Sequence, residues 1–74
     1  MMSIEEIMVK LADVDISLLD GVKLDSGSVI GNPERFIESH VGFCLNYKSK
    51  DVSMPYINRL NIAIEAHDKK AIQR

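Results

Sequence analysis

Residues 32–48 read NPERFIESHVGFCLNYK and carry the clearest helix signal in the chain. Asn32 is a preferred N-cap residue, Pro33 suits the first helical position, and Glu34 places negative charge near the positive end of the helix dipole. The apolar and weakly polar side chains that follow cover an arc of about 200°. One neighbour needs an apolar stripe of only about 100°, so we expect a helix over 33–48 that contacts two or three elements in the middle of the core.

Two further helices are predicted on either side of this central helix. Ser3 and Glu6 have the spacing of a capping box, and apolar residues then recur at helical intervals, which predicts a first helix over about 4–12. Ser53 is expected to cap a last helix over about 54–72, with Pro55 tolerated in its first turn. The short polar link before this helix predicts that it packs antiparallel on the central helix as an αα-hairpin.

The connection after the first helix gives a mixed signal. Val14, Ile16 and Leu18 alternate like a strand, whereas Asp15 could cap another helical turn. We therefore expect an ordered connection that places apolar side chains in the core.

Residues 22–30 contain two very short apolar runs around a turn with glycine, which predicts either a short β-hairpin or an extended loop without strand pairing. The predicted fold class is mainly α. It consists of one small helical domain over 1–74, with three helices, an αα-hairpin core and this β-hairpin as an optional element.

Composition places the chain among ordinary soluble domains. Of its 74 residues, 46% are hydrophobic and 27% are charged, and the formal net charge is -2. A core of this size gives marginal stability, so we expect self-association as a homo-oligomer. The sequence shows no secretory leader and no apolar run of about 20 residues, which predicts a cytoplasmic protein without a membrane role.

Charge is divided unevenly along the chain. Residues 1–45 hold three basic and eight acidic side chains, whereas residues 46–74 hold six basic and three acidic ones. Either the two parts complement each other, within the fold or across a self-contact, or the C-terminal part binds an acidic partner.

His40 and Cys44 are the first residues to consider for chemistry, because their spacing of four places them on one face of the central helix. Such a pair could supply two ligands to a transition metal or form a thiolate–imidazole nucleophile. Their position inside the apolar arc is more typical of core side chains. The chain also has no phosphate-binding or nucleotide-binding motif. We therefore predict no catalytic residues, no metal ligands, no cofactor and no enzyme activity.

The last helix offers the main prediction of a binding surface. Ile62 and Ala66 are apolar on the side opposite its packing face, and Asn58 and Lys69 would form a polar rim. This surface is covered either by the rest of the monomer or by a second protein chain. The sequence thus predicts a non-enzymatic protein-interaction module, self-associating or acting as an accessory or inhibitor of a larger partner.

Two alternatives come from other classes of protein. Asn58, Arg59 and Asn61, near the predicted start of the last helix, are residue types that read bases, so a small nucleic-acid-binding regulator is one alternative. The acidic pI of about 5.5 disfavours it, because phosphate contacts need clustered positive charge. The other alternative is a small-ligand or metal sponge at an oligomer interface.

A combination of motifs in residues 30–62 resembles a small uncharacterised bacterial family, one of the domains of unknown function. The motifs are Phe36-Ile37, His40-Val41, Leu45, a polar link, Pro55-Tyr56 and Arg59-Leu60. The resemblance implies a compact, mainly helical domain in which the Pro-Tyr-x-x-Arg-Leu segment opens the last helix, and it implies no activity. Cys44 departs from the family pattern, so any cysteine-dependent function would belong to this protein alone.

Overall fold

The computed structural model describes residues 2–47 and 49–73 of the chain. It contains the α-helices α1 (Ile4–Leu11), α2 (Pro33–Asn46) and α3 (Lys50–Gln73), with one 3₁₀-helix (Ile16–Leu19) between α1 and α2. The predicted fold class, mainly α with three helices, is confirmed. None of these helices combines the length and the apolar character that crossing a membrane requires.

The first two helices begin where the sequence predicts. In α1 the N–H of Glu6 donates to Ser3 Oγ, and Glu6 Oε1 accepts the N–H of Ser3, each at 3.3 Å, so the capping box is formed. In α2 the side chain of Asn32 accepts the N–H of Arg35 at 3.1 Å. The sequence predicts that this helix ends at Lys48, which lies outside the described residues, but it ends at Asn46, and Tyr47 is already extended as its C-cap.

The last helix begins earlier than predicted, at Lys50 instead of about residue 54. Ser53 is not its cap: the N–H and the hydroxyl of Ser53 donate to the carbonyl of Ser49 at 3.1 and 3.0 Å. Pro55 lies in the second turn, where its ring removes the N–H that would bond to Asp51. Serine followed by proline suggested a helix start, but here the serine bonds back by one turn inside the helix.

The connection between α1 and α2 contains the short 3₁₀-helix and then a chain reversal that is closed by one β-bridge. Asp15 caps the 3₁₀-helix, because its side chain accepts the N–H of Ser17 at 3.2 Å. Residues 22–30 reverse direction with a single antiparallel bridge, between Lys23 and Val29, and no strand forms among the described residues of this connection. The structure therefore lies between the hairpin and the extended loop that the sequence left open.

α2 and α3 pack antiparallel, as the αα-hairpin prediction requires. The ring of Phe43 on α2 stacks on the ring of Tyr56 on α3. His40 lies about one turn before Phe43, and it contacts Arg59, which lies about one turn after Tyr56. Successive contacts therefore move toward the N-terminus of α2 and toward the C-terminus of α3, as in an antiparallel pair.

The centre of the core lies on α3, not on α2 as predicted. The largest fully buried side chains are Ile7, Leu19, Leu60 and Ile64. α2 contributes Phe36 and Cys44 to the core and contacts α1, the 3₁₀-helix and α3, as its wide apolar arc indicates. At its C-terminal end, however, Leu45 and Tyr47 are 53% and 51% exposed. The apolar arc therefore extends past the core onto the surface.

Side chains of α3 hold the connection after α1 in place. His67 is only 6% exposed, and its Nε2 accepts the N–H of Asp15 at 3.0 Å. Lys70 Nζ donates to the carbonyls of Leu18 and Asp20 at 2.8 and 3.2 Å. These bonds span about fifty residues of sequence, so they fix tertiary structure and not merely local turns.

Asn61 attaches the segment before α1 to α3. The N–H of Met2 donates to Asn61 Oδ1 at 3.0 Å. Asn61 Nδ2 in turn donates to the carbonyls of Met2 and Ile57, at 3.3 and 2.9 Å. One amide side chain thereby positions the N-terminal segment beside the first half of α3.

Candidate functional site

A groove lies where the start of α1, the end of α2 and the start of α3 meet. Its volume of about 670 Å³ is within the usual range of binding sites. The capping box and the bonds of Asn61 hold its α1 side, and the short connection after α2 brings its α3 side close. The groove is lined by Met2, Ser3, Ile4, Glu5, Glu6, Cys44, Leu45, Tyr47, Lys50, Ser53, Met54 and Ile57.

The groove exposes large apolar side chains. Leu45 and Tyr47 are about half exposed, and Met54 is 41% exposed. A single exposed apolar residue is normal on a soluble protein, but several in one concave surface are typical of a binding site. A methionine side chain can also adapt its shape to a partner. This concave apolar surface is the feature of the molecule best suited to binding.

Charges of both signs lie at the edge of the groove. Glu5 and Glu6 come from the first turn of α1, and Lys50 comes from the first turn of α3. Within residues 2–47 and 49–73, the ion pair joins Asp68 to Lys10, and Asp68 also accepts a hydrogen bond from His67 Nδ1, on a different part of the fold. Glu5 and Lys50 therefore remain available to a partner, while Glu6 is bonded to Ser3.

Cys44 lines the inner side of the groove and is 8% exposed. Burial raises the pKa of its thiol, because the apolar surroundings disfavour the charged thiolate. A thiol of this kind is a poor nucleophile at neutral pH. Its side chain belongs to the buried core of the domain.

All four aromatic residues of the chain form one continuous row together with His40. Ring centroids are separated by 4.3 Å between Tyr47 and Phe43, 3.8 Å between Phe43 and Tyr56, 5.3 Å between Tyr56 and His40, and 4.2 Å between His40 and Phe36. Such pairs stabilise a fold beyond their buried area. The row begins inside the core at Phe36 and ends at the groove with Tyr47.

His40 is held in one tautomer within this row. Its Nδ1 lies 2.9 Å from the carbonyl of Phe36 and therefore carries the proton, which leaves Nε2 to accept from Arg59 Nη1 at 3.5 Å. The guanidinium of Arg59 also lies over the ring of Tyr56, 5.1 Å from its centroid. Burial, together with the positive charge of Arg59, lowers the pKa of His40, although its bond to Phe36 acts in the opposite direction.

This lowered pKa predicts that acid destabilises the fold through His40. The unfolded chain takes up a proton near the ordinary value of 6.5, before the folded chain does. The stabilising contribution is therefore present above about pH 6.5 and is lost as the pH falls through the folded value. We expect the free energy of unfolding, measured with urea between about pH 7.5 and pH 5, to fall more steeply for wild type than for His40→Gln. Equal slopes in the two proteins would contradict this assignment.

His40 and Cys44, although on one helix, do not form a joint site. The imidazole of His40 contacts Phe36, Tyr56 and Arg59, whereas Cys44 lines the groove. Among the described residues, no three His, Cys, Asp or Glu side chains are close enough together to hold a metal ion. The pair is thus divided between an aromatic row and an apolar groove.

The predicted partner-binding residues on α3 are only partly brought together. Asn58 and Ile62 are half-buried and share a shallow pocket of about 390 Å³ with Glu65. Ala66 is also half-buried and packs against the core of its own chain. Lys69 is exposed and does not line that pocket. The structure therefore offers a smaller apolar surface here than at the groove.

Two of the residues that suggested recognition of nucleic-acid bases, Arg59 and Asn61, contact other residues of this chain instead. Asn61 bonds to Met2 and Ile57, and Arg59 lies against Tyr56 and His40. Since α3 begins at Lys50, these side chains belong to its third and fourth turns and not to its N-terminal end. A recognition helix would present them to the outside.

The sequence reading missed both the groove and the aromatic row. Phe36 with His40, and Phe43 with Tyr47, are i, i+4 pairs that could have predicted half of the row. The other half needs the pairing of Tyr56 with α2. The groove could not be predicted without knowing that α3 starts early enough to include Lys50 and Ser53.

Comparisons of the chain with family models, with curated proteins and with solved structures find no match. The resemblance of residues 30–62 to a family of unknown function therefore stays a prediction. In this chain the Pro-Tyr-x-x-Arg-Leu segment occupies the second and third turns of α3 and does not open the helix.

Proposed function

We propose that this chain is a non-enzymatic protein-interaction domain that binds another protein chain in the groove, either self-associating or acting as an accessory or inhibitor of a larger partner. The observation that carries the proposal is the joint exposure of Leu45, Tyr47 and Met54 in one concave surface of about 670 Å³. Apolar surface of this kind is stabilised when a partner removes it from water. An amphipathic helix with apolar residues at i, i+3, i+4 and i+7 suits such a groove.

The way in which the groove is built supports binding without chemistry. Helix ends on three sides are held by the capping box, by Asn61 and by the aromatic row, so the surface is largely formed before a partner arrives. A preformed surface reduces the entropic cost of binding. The thiol of Cys44 is buried in this groove and has a raised pKa, which makes it a poor nucleophile. The proposal includes a cytoplasmic location, supported by this single buried thiol.

Selection of helical peptides from a displayed library tests the proposal. We expect selected peptides to carry the amphipathic pattern and to bind with a Kd of micromolar order. Backbone amide shifts of Leu45, Tyr47 and Met54 should change on titration. Met54→Glu places a charge in the apolar groove and should weaken binding at least about tenfold.

Ile72→Glu is the matched control, because Ile72 is an apolar residue of the same helix that is 85% exposed and lies outside the groove. This variant should bind the peptides as wild type does. Failure to select any peptide, or equal binding to wild type and Met54→Glu, would contradict the proposed function.

A further inference from the structure

We infer that the partner of the groove is a second copy of this chain, bound through a two-fold contact in which Glu5 of each copy faces Lys50 of the other. This inference rests on the proposed function and names the partner of the same groove. Each copy would supply the start of α1 and the start of α3 to the contact.

The charges at the edge of the groove favour a copy of the chain over a partner of one charge sign. A two-fold interface brings the same surface together from both sides, so it must be complementary to itself. Glu5 and Lys50 satisfy this condition because they lie on different helices at the same groove. A uniformly basic or acidic segment would meet one of these two residues with like charge. Neither residue belongs to an ion pair among the described residues.

The apolar part of the groove supports the same partner. In a two-fold contact Leu45, Tyr47 and Met54 would pack against the same residues of the other copy, which removes both exposed sets from water. A standard interface buries about 800 Å² of solvent-accessible surface on each partner, which is roughly one sixth of the 4949 Å² that this chain exposes. A domain of this size also has little core of its own and gains stability from association.

Sedimentation equilibrium of the full chain provides the first test. We expect the average mass to rise with concentration from 8.3 kDa toward twice that value. Raising NaCl from about 50 mM to about 500 mM should weaken the dimer, because exposed charges are screened. A wild type that stays monomeric at millimolar concentration would overturn the inference. If that monomer still binds helical peptides in the groove, the proposed function stands; if it binds none, both fail.

Charge reversal then tests the contact itself. Glu5→Lys and Lys50→Glu should each weaken the dimer about tenfold, because each reversal creates two like-charge contacts across a two-fold interface. Glu34→Lys and Lys69→Glu are the controls. Glu34 is, like Glu5, an exposed glutamate in the first turn of a helix, and Lys69 is, like Lys50, an exposed lysine of α3; neither control residue lines the groove. Both controls should dimerise as wild type does, and loss of the dimer in either would overturn the inference.

An equimolar mixture of Glu5→Lys and Lys50→Glu gives the decisive result. In a mixed dimer both charge contacts are again between opposite signs, so dimers should recover to within about threefold of the wild-type Kd. If the charges acted only within one chain, mixing would restore nothing. Dimers unaffected by either reversal, or reversals without recovery on mixing, would overturn the pairing of Glu5 with Lys50. Peptide binding by these variants reports separately on the proposed function.

Discussion

Replacing Leu60 with alanine is expected to lower the free energy of unfolding by about 3 kcal/mol. Leu60 is fully buried at the centre of the core, and the truncation removes buried apolar surface and leaves a cavity. A domain of this length has a total stability of roughly 4–11 kcal/mol at the usual value per residue. The variant should therefore unfold at a much lower urea concentration, as measured by circular dichroism below the concentration of self-association.

Leu45→Ala is the matched control, because it makes the same change in a helix at a residue that is 53% exposed. Its free energy of unfolding should stay within about 0.5–1 kcal/mol of wild type. A cost for Leu45→Ala equal to that for Leu60→Ala would show that the core is not centred on α3.

Replacing His67 with alanine is expected to lower the free energy of unfolding by about 2–3 kcal/mol. The imidazole is 6% exposed, so its loss creates a cavity between α3 and the connection after α1. The substitution also removes the acceptor for the N–H of Asp15. Urea unfolding should show the loss, and amides of the 3₁₀-helix (Ile16–Leu19) should exchange with solvent faster than in wild type.

Asp68→Ala tests the hydrogen bond at Nδ1 of His67 separately from the bond that Nε2 accepts from Asp15. Asp68 accepts from His67 Nδ1 at 3.1 Å, and that bond, with help from Lys10, lowers the pKa of its carboxyl group. The side chain of Asp68 is 44% exposed, so solvent screens its interactions and its removal should cost under about 1 kcal/mol. Equal costs for His67→Ala and Asp68→Ala would contradict the role assigned to the bond from Asp15.

Much of the helical fold could be predicted because its signals are local. A capping box, an N-cap asparagine and proline at the first helical position act within one turn, so they located the starts of α1 and α2. The start of α3 was misplaced because Ser53 can bond either forward as a cap or backward to Ser49. The choice depends on how α3 meets the end of α2, and that contact is tertiary.

The candidate site was less predictable because its parts come from distant segments. Ile62 and Ala66 looked unpartnered on a helical projection, yet Ala66 packs against the core of its own chain. Leu45 and Tyr47 looked like core residues, yet α2 ends beyond the elements that cover it. Periodicity shows which side chains share a face. It does not show how far a neighbouring helix extends along that face.

The attachment of Met2 to Asn61 has a practical consequence for fusion proteins. Met2 lines the groove, so any polypeptide joined ahead of it leaves the domain directly beside the binding surface. An affinity tag or reporter at that end would sterically hinder the binding of a partner in the groove. At the other end of α3, a fused segment leaves about 34 Å from Lys50, at 1.5 Å per residue along the helix. Labels and immobilisation handles therefore belong after the end of α3 and not ahead of Met2.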